Sequence, residues 1–227
     1  MISLNGKVVM ITGALGGLGQ TVTEAFAQAG AKVVVVGREL PAKLPEGLVG
    51  LSADVTDEAE VHRLMKEAVR KTTRIDCLIN LVGGFAMGRL AETEMSTWSK
   101  MLSINLTSAF LLSREATRFM SKQGSGRIMH MAARAAVDPF PGAGAYIVSK
   151  SGLLALIKVL ALELTGSGVT VNGVLPATID TPANRNSMPD ADPNEWVKPE
   201  AIAALLVFLA SEEAEALNGA LIPIGSS

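Results

Sequence analysis

A short apolar run, followed by a glycine-rich turn and a helical pattern, constrains the fold of this chain most. Residues 7–12, KVVMIT, have the composition of a buried strand, and the helical pattern behind the turn reaches Ala29. Between them lie Gly13, Gly17 and Gly19. Glycines here permit a tight turn and a close backbone approach, and the helix N-terminus offers free N–H groups to a pyrophosphate. The stretch therefore predicts a strand–turn–helix unit that binds a dinucleotide.

The alternation of strands and helices continues to the end of the chain. Residues 57–71, for example, mix charged and apolar residues at helical spacing. Strands that alternate with helices favour parallel pairing with right-handed crossovers. We expect residues 1–227 to form one α/β domain, a Rossmann-type doubly wound parallel sheet of about seven strands with helices on both faces. Further strands are expected at 31–37, 48–53, 76–81, 127–131, 169–175 and 220–224, and further helices at 92–123, 149–164 and 199–211.

The composition narrows the classes of function. Of the 227 residues, 48% are hydrophobic and 19% are charged, so a large core can be buried. The formal net charge of −2 gives no sign of a nucleic-acid or membrane partner. No uninterrupted apolar run reaches the roughly 18 residues of a membrane span, and the first residues lack a signal-peptide pattern. We expect a cytoplasmic protein that acts on a small molecule.

Cysteine and histidine usage indicates neither a disulfide nor a metal site. Cys77 is the single cysteine, which suits a reducing compartment, and its apolar neighbours predict a buried structural thiol. His62 and His130 do not cluster with cysteines or carboxylates, so no metal ligand set is predicted.

The end of the second strand decides which dinucleotide is expected. A carboxylate at this position binds the adenosine ribose hydroxyls, whereas an Arg accommodates a 2′-phosphate. Here the strand ends in Gly37, and Arg38 follows with a guanidinium suited to a phosphate. We expect NADP(H) in preference to NAD(H), although Glu39 is a competing ribose ligand and the glycine loop holds no basic residue.

Two later strand ends carry further candidate contacts. After the third strand, Asp54 is a candidate acceptor for the adenine amine and Val55 offers its backbone, while helix capping is the alternative role of Asp54. The fourth strand runs into residues 82–88, whose glycines let the backbone approach a ring system. Phe85 and Met87 in this loop are candidates either to contact an aromatic substrate or to cover the core.

Tyr146 and Lys150 carry the candidate chemistry. Four positions apart on a helix, they lie on one face about one turn apart. An ammonium beside a phenol favours the phenolate, so we expect Lys150 to lower the pKa of Tyr146 from its usual value near ~10. Such a tyrosine exchanges a proton with a substrate near neutral pH. Alone, this pair is more typical of an ordinary helix face, but the rest of the chain favours the catalytic interpretation.

These motifs together resemble the short-chain dehydrogenase/reductase family over nearly the whole chain. The resemblance implies a soluble oxidoreductase in which Tyr146 donates a proton and Lys150 lowers its pKa and holds the nicotinamide ribose. It also implies that Asn105 supports a proton-relay water, although this buried amide would equally satisfy a neighbouring backbone. The cofactor-binding residues that it implies are Gly13, Leu15, Gly17, Leu18, Gly19, Arg38, Asp54, Val55, Asn80, Gly83, Tyr146, Lys150, Pro176, Ile179 and Thr181.

One position departs from the family pattern. The family carries a Ser thirteen positions before the Tyr, and here that position is Ala133. A carbonyl reductase without this hydroxyl loses a hydrogen bond worth about 10²–10³ in rate. Arg134 is the neighbouring donor that would replace it. Ala133 and Arg134, together with Phe85 and Met188, are the candidate substrate contacts.

A narrower resemblance offers an explanation for the missing Ser. Residues 175–192, with Trp196 beyond them, are similar to the substrate loop of quinonoid dihydropteridine reductase, a branch of the family that also dispenses with the Ser. That branch carries an acidic residue at the second strand end, from which Arg38 departs. We expect a substrate loop at about 177–197, after a strand carboxyl end, with Asn184 and Arg185 among its possible contacts.

Three functions follow, in order of preference. The first is hydride transfer to a quinonoid or conjugated substrate such as a dihydropterin. The second is reduction of a 3-oxoacyl (carrier-protein) thioester or another ketone, and the third is NADP binding with little catalysis. The strongly apolar helix expected at 149–164 indicates a subunit contact, so we expect a homotetramer or a homodimer.

Overall fold

The computed structural model describes residues 2–225 and contains one sheet of seven parallel strands. The strand order is β3-β2-β1-β4-β5-β6-β7, so the expected Rossmann-type doubly wound fold is confirmed. Each strand begins and ends within one residue of its predicted limits. The strands are β1 (Val8–Thr12), β2 (Lys32–Gly37), β3 (Val49–Ser52), β4 (Cys77–Asn80), β5 (Gly126–Met131), β6 (Val169–Pro176) and β7 (Leu221–Ile224).

The helices differ from the predictions at three places. The region 92–123 divides into two helices around a five-residue π-helical segment, Ser103–Thr107. The helix on which Tyr146 and Lys150 were expected, strongly apolar over 149–164, begins at Gly144, and the loop at 177–197 contains a short helix. The helices are α1 (Gly17–Gln28), α2 (Glu58–Thr72), α3 (Met95–Leu102), α4 (Ser108–Gln123), α5 (Gly144–Glu163), α6 (Pro182–Ser187) and α7 (Pro199–Ala210).

The central strands bury side chains on both faces of the sheet. Met10 and Leu78 point to the side covered by α2, α4 and α5, whereas Ile11 and Ile79 point to the side covered by α1 and α7. All four are fully buried, which explains why these strands read as continuous apolar runs. Cys77 lies on the second side, and burial raises the pKa of its thiol to about 12, so the predicted buried structural thiol is confirmed.

Helix α5 is, among residues 2–225, the one helix long and apolar enough to cross a membrane by length and composition. Lys150 and Lys158 interrupt it, which is why the sequence shows no uninterrupted apolar run of that length. Its side chains Leu153 and Ile157 are buried in the core, and the helix packs on β6. Packing against the sheet therefore accounts for the apolar side chains on its inner face, whereas Val148, Val159 and Leu162 are exposed.

The order in which successive strands are added to the sheet reverses between β1 and β4. These neighbours are paired in parallel, yet the crossover after β1 leads to β2 on one side, while the crossover after β4 leads to β5 on the other. Ligands in open α/β sheets bind at such a switch point, outside the carboxyl ends of the strands. The residues that follow Thr12 and Asn80 therefore mark the place to look for a site.

Candidate active site

A cleft of about 470 Å³ opens at the carboxyl ends of β1 to β4. It brings together five of the predicted cofactor residues: Gly13, Arg38, Asp54, Val55 and Gly83. Its other wall comes from Lys100, Ser103 and Ile104, which the sequence analysis missed. Their spacing could have indicated this wall, because Ser103 and Ile104 follow Lys100 by three and four positions and such residues share one face of a helix.

The glycine turn is shaped by contacts that exclude side chains. Gly13 has a φ of +74°, and a Cβ atom at Gly19 would lie 2.2 Å from the carbonyl oxygen of Gly13. Helix α1 begins behind this turn with neither a side-chain cap nor an acidic residue in its first turn. Its first N–H groups and the positive end of its dipole are therefore available to an anion such as a pyrophosphate.

Other predicted residues surround the glycine turn. A Cβ atom at Gly17 would lie 3.5 Å from Thr181 Cβ, so the start of α6 covers the turn. Leu15 reaches across to Gly37, where a Cβ atom would lie 2.8 Å from Leu15 Cδ1. Leu18 instead packs its side chain against the core on the α1 and α7 side.

Asp54 organises the turn after β3. Its Oδ1 accepts hydrogen bonds from the hydroxyl of Thr56 at 2.7 Å and from the Thr56 N–H at 2.9 Å. These bonds hold the pKa of the Asp54 carboxyl below its usual value, with a smaller contribution from Arg38. The helix cap belongs to Asp57, whose side chain accepts from the N–H of Glu60. Capping, the alternative role considered for Asp54, is thus carried out by Asp57.

Asn105 lies inside the π-helical segment and joins two parts of the site. Its Oδ1 accepts from the Gly84 N–H at 2.9 Å, and its Nδ2 donates to the Gly84 carbonyl and to Ser149 Oγ, both at 3.0 Å. Ser149 in turn donates to the Tyr146 carbonyl at 2.7 Å. The prediction that Asn105 satisfies a neighbouring backbone is confirmed, and its role toward a relay water stays a prediction. Ser149 was missed.

Burial governs the ionisation of Tyr146 and Lys150. Lys150 is 4% exposed, and its Nζ donates to the Met131 carbonyl at 2.7 Å. Desolvation lowers the pKa of Lys150 to about 8 and raises that of Tyr146 to about 12. The expected lowering of the Tyr146 pKa by Lys150 is therefore wrong for this structure, because loss of hydration disfavours the phenolate and the ammonium is directed at a carbonyl.

The substrate side of Tyr146 is apolar. Phe85 lies edge-on to the Tyr146 ring, with 4.9 Å between ring centroids, and is 55% exposed. Ala133 is buried and offers no hydroxyl. Arg134, the suggested replacement donor, forms an ion pair with Asp138 in its own segment, so its guanidinium is already engaged.

Several polar side chains of the expected substrate loop form hydrogen bonds within the loop. Arg185 donates to Asp180 at 2.6 Å, and Lys198 donates to the same carboxylate at 2.8 Å. Asn184 donates to the Ile179 carbonyl at 2.8 Å. Met188 is exposed at the end of α6. No group of three or more His, Cys, Asp or Glu side chains that could hold a metal ion occurs within the described range 2–225.

The fold and the site together define a class of protein. A Rossmann sheet whose cleft crosses the switch point binds a dinucleotide, and a phenol and an amine beside that cleft are groups that transfer and stabilise protons. The class is that of nicotinamide-dependent oxidoreductases. Residues 7–192 match the short chain dehydrogenase family, and the chain belongs to this family.

Individual relatives align over almost the full length of the chain. A 3-oxoacyl-[acyl-carrier-protein] reductase of Thermotoga maritima is 32% identical over 97% of each chain. D-threitol dehydrogenase of Mycolicibacterium smegmatis is 33% identical over 96% of this chain and 90% of its own. The crystal structure of a 3-ketoacyl-(acyl-carrier-protein) reductase from Brucella melitensis complexed with NADH superposes with a TM-score of 0.88, at 26% identity over 98% of each chain. The protein is thus an NAD(P)-dependent oxidoreductase, and these names do not favour NADP binding with little catalysis.

The buried ammonium predicts a pH-dependent stability. Folded Lys150 has a pKa of about 8 against its ordinary 10.5, so the unfolded chain binds more protons between these values and stability rises with pH there. Relative to Lys150→Met, the wild type should gain about 2 kcal/mol of unfolding free energy between about pH 7 and about pH 9.5, measured by urea denaturation. This window ends below the ordinary pKa of tyrosine, so Tyr146 does not contribute.

Lys158→Met supplies the control for this measurement, because Lys158 is an exposed lysine on the same helix. It should show the same pH dependence as the wild type. A difference between wild type and Lys150→Met that stays constant over this pH range would contradict the desolvated state of Lys150.

Proposed function

We propose that the protein is an NADP(H)-preferring reductase that interconverts a carbonyl and a hydroxyl group of a small molecule, with 3-oxoacyl thioesters as the first candidate substrates. The observation that carries this proposal is the Tyr146–Lys150 pair beside a dinucleotide cleft. The relatives named as 3-oxoacyl reductases and as a polyol dehydrogenase support it over the dihydropterin that the sequence analysis preferred.

The residues around the cleft fit the cofactor. The uncapped start of α1 and the glycine turn would hold its pyrophosphate, and Arg38 its 2′-phosphate. Asp54, with the Val55 backbone, would contact the adenine, and the nicotinamide half would lie near Asn80, Gly83, Lys150, Pro176, Ile179 and Thr181. When bound, the reduced cofactor supplies the hydride.

The ionisation of the pair suits reduction. A phenol with a pKa of about 12 remains protonated at neutral pH, so Tyr146 is in the correct state to donate a proton to a carbonyl oxygen. Lys150, one helical turn from Tyr146, would supply a positive charge on the side of the helix where this step leaves a phenolate. Because its pKa is about 8, Lys150 is charged at neutral pH and loses its charge in mildly alkaline solution.

The function is tested first with Tyr146→Phe, which removes only the hydroxyl. Oxidation of NADPH would be followed with acetoacetyl-coenzyme A, with a simple diketone and with a quinone. Turnover of the preferred substrate should fall by about 10²–10⁴, the usual contribution of a general acid, while the Kd for NADP(H) changes less than about threefold. Turnover retained by the variant would overturn the role of Tyr146.

The cofactor preference is tested with Arg38→Gln. Loss of a charge-assisted hydrogen bond should weaken NADP(H) binding by about tenfold to a hundredfold and leave NAD(H) within about twofold, as measured by fluorescence titration. Arg70→Gln, an exposed arginine on α2, is the matched control and should change neither Kd. An equal loss for both cofactors would remove Arg38 as the discriminating residue.

A conjugated or quinonoid ring is the second candidate substrate, because the site lacks a second hydroxyl and presents an apolar rim. Met87 and Leu90 are more than 60% exposed and lie over the segment that leads to Tyr146. A Cβ atom at Gly142 would lie 3.4 Å from Met87 Cε, and one at Gly144 would lie 2.5 Å from the Leu90 side chain. An electron-poor ring needs less polarisation than a ketone, so Ala133 suits it.

Ala133→Ser separates the two candidates. If conjugated rings are the natural substrates, the added hydroxyl should raise ketone reduction by up to about 10² and leave quinone reduction within a few-fold. If ketones are the natural substrates, the wild type already reduces them and the gain stays below about tenfold. Ala136→Ser, in the same short turn, is the control. Ketone reduction that stays undetectable in both forms would contradict the first candidate.

We also propose that the protein works as a homo-oligomer, a dimer or a tetramer, in the cytoplasm. Support comes from the exposed apolar side chains of α4 and α5, among them Phe110, Val159 and Leu162. Leu162 alone is 76% exposed. Large apolar side chains exposed on neighbouring helices are typical of a subunit contact. The single reduced and buried cysteine suits the compartment.

A further inference from the structure

Buried polar side chains of three central strands lie in register directly beneath the cleft. Thr12 pairs with Asn80, and Asn80 pairs with His130, in adjacent strands of the sheet. All three are at most 2% exposed. Each one precedes backbone that builds the site: Gly13 after Thr12, the loop 81–83 after Asn80, and the Met131 carbonyl that binds Lys150 after His130.

The hydrogen bonds fix the orientation of the Asn80 amide. Its Oδ1 accepts from the Thr12 hydroxyl at 2.8 Å and from the Val82 N–H at 3.2 Å. A backbone N–H can only donate, so the atom facing it must be the oxygen. The Asn80 NH₂ group therefore faces His130, with 3.4 Å between Asn80 Nδ2 and His130 Nδ1.

This orientation determines the tautomer of His130. Because the Asn80 NH₂ group only donates, His130 Nδ1 must be unprotonated and accept. The proton then lies on Nε2, which donates to Ser113 Oγ of α4 at 2.8 Å. An imidazolium would direct an N–H at another N–H. Full burial and the neighbouring Lys150 ammonium both oppose that charge and lower the pKa of His130 to about 3.

We propose that His130 is a positioning residue for the cofactor site, whose neutral Nε2–H tautomer holds Asn80 and thereby the loop 81–83 against the glycine turn. The position of Asn80 affects the glycine turn through direct steric contact. A Cβ atom at Gly13 would lie 3.2 Å from both Leu81 C and Val82 N, so the two backbones are in contact. A displacement of Asn80 therefore moves the wall of the cleft. The proposal rests on the proposed cofactor site and not on the identity of the substrate.

The tautomer is measured on the wild-type protein by ¹⁵N-detected NMR of the imidazole rings. The chain contains two histidines, and His62→Gln assigns their signals. His130 should show a protonated Nε2 and an unprotonated Nδ1 without change between about pH 5 and about pH 9. A protonated Nδ1, or a titration within this range, would overturn the proposal even if no variant could be purified.

The positioning role is tested with two variants of His130. His130→Asn places an acceptor oxygen near the position of Nδ1 and keeps the partner of Asn80, whereas His130→Leu leaves the Asn80 donor unpaired. The Kd for NADP(H) should stay within about threefold in His130→Asn and weaken by about tenfold or more in His130→Leu. Both variants lose the bond to Ser113, so both should lower the melting temperature.

Ser113→Ala is the matched control for that loss of stability. It removes the partner on α4 and leaves the Asn80 contact intact, so it should lower the melting temperature without changing the Kd. Equal effects of His130→Asn and His130→Leu on cofactor binding would mean a purely structural role and would refute the proposal. These readouts need no substrate, so they remain decisive if the proposed carbonyl reduction fails.

Discussion

The contact between two backbone segments, at Gly13 and at Leu81–Val82, sets the geometry on which the site depends. It places the turn after β1 against the loop after β4, at the switch point between these two strands. A glycine suits this position, because L side chains rarely adopt a φ of +74° and a Cβ atom would lie only 3.2 Å from the neighbouring backbone. Gly13, Leu81 and Val82 all line the cleft, so this contact forms part of its wall.

Desolvation is the second determinant of the site. The same burial that packs α5 on the sheet keeps the Tyr146 phenol protonated and brings the pKa of Lys150 to about 8. The acid of the proposed reaction is therefore set by packing and not by an adjacent charge alone. Hydrogen bonds from Asn105 and Ser149 fix the surrounding backbone, so these groups are held in place before a ligand binds.

The sequence predicted the strands almost to the residue, because fully buried parallel strands are continuous apolar runs that end at glycines and polar residues. It also predicted Gly13, Arg38 and Asp54 at one cleft, because the carboxyl ends of neighbouring strands meet there. It did not predict the π-helical segment at Asn105, the wall formed by Lys100, or the raised pKa of Tyr146. Those features depend on contacts between segments far apart in sequence, which periodicity does not encode.

The loop at 177–197 is closed on itself. Ile179 pairs with Val197, and the Asp180 carboxylate joins Arg185 to Lys198, so the two ends of the segment are tied together before it rejoins the sheet. Tyr146 and Lys150 lie on α5, outside this segment, so the proposed chemistry and the loop occupy separate parts of the chain. Changes of side chains within the loop would alter the contacts around a ligand while the Tyr146–Lys150 pair stays in place.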